Sequence, residues 1–370
     1  MDLVELFDKE SKHFPQQYDS QKTTLHNYLK KRFKDFSLNF EKFIKDIVLV
    51  IDSEGVMKKV NDLSEGILQS LDAYLSGNIH QAYTLFSQIL DGCQEHFNIN
   101  LKKLQFKDYD PLKYLYRIRV SEIPLTHKDE LFHLPFEERH KVENLRYSIN
   151  GLPCLYLGSS SYICWEELDR PCFDRIYISR FEVKKNVKLI DLSYTPNYLK
   201  TGLESLLKDK EGKERETLLS EIYMKELLNI LITWPLVIAC SVNCSNKGSF
   251  HEEYIIPQLL LEYVSAEQKY DGIKYFSTKI INETENLPLY QNYVFPVKTH
   301  KTKGVCKKLS YIFKNTAPLS WQAAQTVRLL SYQSKYDKSG LNIELTKGLL
   351  SRYELTDFGK IERILLELDI

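Results

Sequence analysis

One change of pattern constrains this chain more than any other. Up to about residue 105, apolar residues recur at three- and four-residue intervals, as in TLHNYLKKRFKDF and NFEKFIKDIVLVI, the spacing of helices with one buried face. ILQSLDAYLSGNIHQAYTLFSQIL reads as two helices separated at Gly77-Asn78, a single hairpin rather than a repeat array. From about residue 107 the texture shifts to short runs rich in Val, Ile, Tyr and Phe, bounded by Gly, Pro, Asp or Ser. These are KYLYRIRV, CLYLGSS, RIYISRFEV, VKLIDLS, PLVIACSV, DGIKYFST and NYVFPV. Helical stretches, ETLLSEIYMKELLNILI and PQLLLEYV, lie among them without regular alternation. A doubly wound sheet requires that alternation, so the pattern predicts an α+β fold. Three parts are expected: a helical domain over 1–106, a mixed catalytic domain over 107–300 and a C-terminal extension over 301–370. The extension begins with basic HKTKGVCKK, and amphipathic SRYELTDFGKIERILLELDI closes the chain. KDKEGKERE, 208–216, reads as a solvated loop.

Composition narrows the partners. Fifty basic and fifty acidic side chains cancel over 370 residues, so neither nucleic acid nor an anionic membrane is an expected partner. MDLVELFDKESKHF lacks the charged-then-apolar pattern of a secretory signal. The most apolar segment, LLNILITWPLVIACSV at 227–242, is shorter than the roughly 20 residues of a spanning helix. A buried helix running into a buried strand is expected there. Seven scattered cysteines, with no second pair near Cys240 and Cys244, predict a reduced, cytoplasmic protein without a zinc site.

The common phosphate, metal and hydrolase signatures are missing: no GxGxxG after a strand, no GxxxxGK[ST], no HExxH and no GxSxG. The residues that stand out are RYSINGLPCLYLGSSSYICWEEL, 146–168. Arg146 precedes an Asn-Gly-Leu-Pro turn, Tyr156 lies within a short strand, and the run Ser159-Ser160-Ser161 is placed to cap a helix carrying Glu166 and Glu167. Those glutamates point about 100° apart, so only one can face a pocket, and periodicity does not say which. Farther on, DGIKYFSTK places Ser277 on the face of Ile273 and Tyr275.

This set resembles the RES domain, a family named for its Arg, Glu and Ser and best known for bacterial toxins that destroy NAD. Its motif runs from an arginine through a glycine turn and an "LYL" strand to a glutamate, then to a "DGI-Y-S" strand. Arg146, Tyr156, Glu167 and Ser277 fall on those positions, and FHEEYIIPQLLLEYV is similar to the helix before the serine strand. The likeness covers roughly 107–300. It selects Glu167 over Glu166, and it implies an ADP-ribosyltransferase-like mixed β core flanked by the helical domain and the extension. The short toxins of the family lack both flanks and pair with a separate antitoxin.

The resemblance implies an enzyme that cleaves the nicotinamide–ribose bond of NAD by hydrolysis or phosphorolysis, acting as a bacterial toxin or defence effector. NAD is then a substrate, and no cofactor or metal is expected. Loss of nicotinamide builds positive charge on the ribose, as in glycoside cleavage. Glu167 is the expected stabiliser of that charge. Arg146 first and Arg117 second are the candidates for the diphosphate, because a guanidinium offers two parallel donors. Tyr156 would stack on nicotinamide or close the pocket, and Ser277 would hydrogen-bond nicotinamide or ribose. His133 and Arg139 either line the entrance or fasten a loop. The alternatives are ADP-ribosyl transfer to a macromolecule and a non-catalytic nucleotide-binding regulator. Expected partners besides NAD are an antitoxin or regulatory protein bound through the helical domain; a homo-oligomer is left open.

Overall fold

A computed structural model describes residues 3–12, 14–47, 52–97, 114–209, 217–245, 248–280, 287–327, 338, 340–346 and 348–370. The N-terminal periodicity resolves into helices α1 (Leu3–Ser11), α2 (Leu25–Ile47), α3 (Ser53–Leu75), α4 (Ile79–Gly92) and α5 (Gln94–Phe97). Gly77 (φ 81°) supplies the left-handed residue that ends α3, and the Asn78 side chain caps α4 by accepting from the Gln81 N–H. A two-residue strand, β1 (Gln17–Tyr18), separates α1 from α2.

The expected short strands form β2 (Tyr114–Val120), β3 (Cys154–Gly158), β4 (Ile176–Val183), β5 (Leu189–Leu192), β7 (Gly272–Phe276) and β8 (Gln291–Pro296). Between them lie α6 (Ser161–Glu167), α7 (Pro196–Asp209), α8 (Thr217–Ser241), β6 (Asn243–Cys244) and α9 (Ile255–Ala266). The extension adds α10 (Lys307–Ile312), β9 (Phe313–Asn315), β10 (Leu319–Ser320), α11 (Trp321–Thr326), β11 (Asn342–Thr346), β12 (Leu349–Arg352) and α12 (Asp357–Leu366). The main sheet runs β10-β4-β2-β3-β8-β7-β5, with β9 also on β4; only β5–β7 is parallel, so the fold is mixed α+β.

Strand alternation divides the sheet into two faces. On one, Leu115, Leu155, Leu157, Tyr293 and Phe295 pack under α10 and the loops around Phe132 and Phe136. On the other, α6, α11 and α12 cover the β2–β4 half, while the N-terminal helices, α7, α8 and α9 cover the β3–β8–β7–β5 half. β2 meets β3 through one register pair, Tyr116 with Gly158, at the junction of these two covers.

Three sequence expectations change. PLVIACSV is not a strand but the end of α8. That helix lies among α2, α3, α5, α7 and α9. A helix buried on all sides is apolar on all sides, so a short window of it cannot be told from a buried strand. Pro235 removes one N–H without ending the helix. Within it, Met224–Ser241 is long and apolar enough to cross a membrane, and 78% of that stretch is buried inside the protein.

Packing also crosses both expected boundaries. Phe7 meets Trp234 edge-on at 5.3 Å, and one apolar cluster joins residues of α1–α5 to those of α8, α9, β5 and β7. The 106/107 boundary itself lies outside the described residues, as does most of the charge run at 208–216. The extension is equally built in, since β9 and β10 both pair with β4. Lastly, β7 ends at Phe276, so Ser277 stands just past the strand, its N–H bonded to the Tyr290 carbonyl.

Candidate active site

The serine run does what its composition requires. Ser160 caps α6, its hydroxyl accepting from the Ile163 N–H at 3.1 Å and donating to the Leu289 carbonyl. Gly158 lets this helix lie across the end of β3, for a Cβ there would come within 2.6 Å of Ile163 and Cys164 side-chain atoms. The helix stops directly after Glu167: Asp169 and Arg170 both take positive φ (59° and 56°), with the Arg170 N–H returning to the Trp165 carbonyl. Left-handed conformations at two consecutive non-glycine residues are strained, and here they leave Glu167 at the helix's last position.

Glu166 and Glu167 then diverge. Glu166 is buried and accepts from Arg170 Nε at 2.9 Å. Glu167 turns toward the sheet, where its Oε1 accepts from Ser277 Oγ at 2.5 Å and from Asn292 Nδ2 at 2.6 Å. A carboxylate at a helix C-terminus opposes the macrodipole. Lys279 compensates, its Nζ donating to the Glu167 carbonyl and to Asp169 Oδ1, each at 2.7 Å.

Behind this carboxylate, Gly158, Asn292 and Tyr275 form one register row; Tyr156, Val294 and Ile273 form the next on the same face. Tyr156 is therefore part of the floor. Its hydroxyl donates to the Tyr147 carbonyl at 2.7 Å, pinning the loop that carries Arg146. The Tyr147 ring lies 4.4 Å from that of Tyr275. Burial pushes the Tyr275 phenol well up and the Glu167 charge adds to this, with Arg146 opposing. Burial likewise raises Tyr254, against Arg146 and together with Glu253, Glu167 and Asp169. Both phenols thus remain protonated donors at neutral pH, within electrostatic reach of both Arg146 and Glu167.

Arg146 lies near the same group with its guanidinium engaged. Nη1 donates to the carbonyls of Cys240 (3.2 Å) and Val242 (2.9 Å) at the end of α8, Nη2 donates to Asn243 Oδ1 (2.6 Å), and the Tyr254 ring covers it at 5.0 Å. Such contacts satisfy the terminal carbonyls of a helix and make Arg146 an anchor of the end of α8. Asn243 continues the network through Nδ2 to the Thr278 carbonyl at 2.8 Å, beside Ser277.

The structure does not bring Arg117 to this group. Tyr116 pairs with Gly158, so alternation sends Arg117 to the opposite face, where Nη1 donates to the Phe132 carbonyl at 2.9 Å. Burial, with Arg119 beside it, pulls that guanidinium down to about 10. His133 lies on that face too, Nδ1 facing the Leu134 carbonyl at 2.7 Å and Nε2 accepting from the Cys306 N–H at 2.8 Å. This fixes a neutral imidazole, pulled down to about 4 by burial, with Arg117 adding and the Leu134 carbonyl opposing. His133 therefore fastens a loop, and so does Arg139, which lies over Phe136 and reaches the Lys301 carbonyl.

Sequence reading missed Asn292, Lys279, Asn243 and Tyr254. One signal was available for Asn292: an amide inside QNYVFP, a strand buried at every position, needs a partner or a task. Nothing local marks the other three.

Fold and site together define a mixed α+β protein with a carboxylate clamped by a serine and an asparagine at the meeting of two helical covers. Over 316 residues, 83% of this chain and 69% of the relative, it is 35% identical to a Bacillus subtilis (strain 168) protein named "Putative toxin YopC". The chain belongs to the family of that protein, and a toxin role fits the kinship. No family model matches the chain, and no solved structure matches it.

Proposed function

We propose that the chain is a toxin that consumes NAD, cleaving the bond between nicotinamide and ribose. The observation that carries this reading is the convergence of Glu167 and Ser277, more than a hundred residues apart in sequence, into a 2.5 Å hydrogen bond beside Tyr156, Tyr275 and Arg146. In the reaction the C–N bond breaks, nicotinamide leaves with the electron pair, and the ribose carries an oxocarbenium charge until water or phosphate adds. A preformed carboxylate aimed at that carbon stabilises the charge without reorganising. Ser277 takes a role other than the expected one: buried, its hydroxyl donates to Glu167 and accepts from the Lys279 N–H, so it orients the carboxylate. Arg146 holds the end of α8 beside this group. The RES-like order of these residues and the toxin kinship both support the reading.

Purified protein incubated with NAD is expected to release nicotinamide together with free ADP-ribose or its phosphate. Glu167→Gln, which keeps volume and removes charge, should lower kcat by about a hundredfold or more without shifting the melting curve by more than a few degrees. Label transferred to protein or nucleic acid would identify a transferase, and tight binding without turnover would identify a regulator; either would displace this reading.

A further inference from the structure

We infer that Asn292 is a positioning residue for Glu167: with Ser277 it clamps Oε1, so that Oε2 is the oxygen presented to the substrate. The inference rests on the reading above but deepens it at one atom. Asn292 is 4% exposed on β8, a strand hydrogen-bonded on both sides, with Gly158 opposite it on β3 and Tyr275 on β7. A buried amide costs free energy unless it is paired, and its Nδ2 pairs with the glutamate. An ionised carboxylate only accepts, so this contact requires the amide's NH2 side. Ser277 is equally constrained, its N–H bonded to the Tyr290 carbonyl and its Oγ accepting from the Lys279 N–H. Two donors held by neighbouring sheet backbone thus fix the rotation of a side chain whose own helix ends at that residue. The charged and titratable groups facing the pair are Tyr275 and Lys279 from β7 and its loop, Tyr254 and Arg146 from beside the end of α8, and Cys164 and Asp169 from α6 and its turn.

The decisive variant is Asn292→Asp, equal in size but with a carboxyl in place of the donor. Two carboxyls at that separation cannot both ionise, so they share a proton. Melting curves of the wild type, Asn292→Asp and Asn292→Asp with Glu167→Gln are compared from about pH 5 to about pH 8, around the shifted range of such pairs. The shared proton is held above the ordinary carboxylate range only in the folded state. The variant's deficit in Tm should therefore be small at the acid end and widen as pH rises. In the double variant the amide introduced on α6 can donate to the carboxylate introduced on β8, and the pH-dependent part of the deficit should vanish. In the NAD assay, the acid limb of kcat/KM for Asn292→Asp should move up by about one pH unit or more. A deficit equal at both ends of the range, or a double variant no different from the single, overturns the inference. Failure to fold at the alkaline end, with folding regained in acid or in the double variant, is the expected result in stronger form; failure in every condition overturns it. Absence of NAD turnover in the wild type would remove the functional reading, while the melting arms still decide the role of Asn292.

Discussion

The two regions flanking the strand-bearing middle are both locked to it through apolar cores, and the C-terminal one adds a buried charge to its contacts. The N-terminal helices attach through apolar surface: Leu3, Phe7, Phe36, Phe40 and Leu71 lie in one cluster with Trp234, Leu260 and Ile273. Near the site this region adds polar contacts, Asn243 N–H to the Gln16 carbonyl, Ser245 N–H and Oγ to the Tyr18 carbonyl, and Tyr18 OH to Glu252 Oε2. The C-terminal extension packs Trp321, Phe358 and Ile361 against Tyr116, Tyr162 and Ile178, and adds a buried charge that reaches α6. Glu362, fully buried on α12, accepts from Ser161 N–H (2.6 Å), Ser161 Oγ (2.9 Å) and Tyr353 OH (2.5 Å), and pairs with Lys338 at 2.6 Å. It therefore grips one end of α6, and Glu167 stands at the other. Apolar burial spreads its contribution over many residues, so single changes are graded. A buried ion pair concentrates it in two, and losing one partner strands the other.

The contrast can be broken by removing each attachment in turn. The largest effect is expected from a fragment starting near residue 107, which exposes the faces of α8 and α9 that the N-terminal helices cover. It should show no cooperative unfolding transition by circular dichroism, whereas a folded, cooperative fragment would mean the helices only decorate a self-sufficient domain.

Next comes Glu362→Ala. Stranding Lys338 should cost about 3–5 kcal/mol in denaturant unfolding. Glu362→Leu combined with Lys338→Met should recover part of that loss, because no charge is then left buried although the Ser161 N–H and the Tyr353 hydroxyl lose their acceptor. Equal losses in the single and the combined variant would make the attachment one of shape rather than charge.

The smallest effect comes from acid. His133 joins the middle of the chain to the extension by accepting from the Cys306 N–H. Its folded value near 4 lies below the ordinary 6.5, so the unfolded chain takes up a proton in that range before the folded chain does. This contribution is complete above about pH 6.5 and is lost as pH falls toward 4, about 3 kcal/mol over the whole window. Hydrogen exchange should show amides around Cys306 losing protection over that window ahead of those in α2 and α3. His133→Gln, whose amide can both donate and accept, should suppress the difference.

Part of the candidate site was legible because the segment that carries Glu167 is marked locally in sequence. The serine cap, the glycine turn, the short LYL strand and the adjacent glutamates are signals of backbone geometry, and each appears where its residues predict. Choosing between Glu166 and Glu167 was harder. On α6 the choice follows from where β7 and β8 lie, and the preceding residues, Tyr162 to Cys164, are buried on every side. Arg117 failed for a related reason: YLYRIRV alternates cleanly, yet which face of a strand meets the site depends on its register with β3.

Sequence alone determined the mixed α+β class, the positions of most strands, the cap before Glu167 and the composition of the helical region, because propensity, capping and periodicity act within a few residues. Only tertiary structure decided that PLVIACSV is helical, that the flanks share cores with the middle, and that Arg146 anchors α8. It alone joined Asn292 to Glu167 and Glu362 to Ser161, contacts spanning 125 and 201 residues. Such pairings are set by which buried donor is left facing which acceptor once the sheet has closed, and no local pattern encodes them.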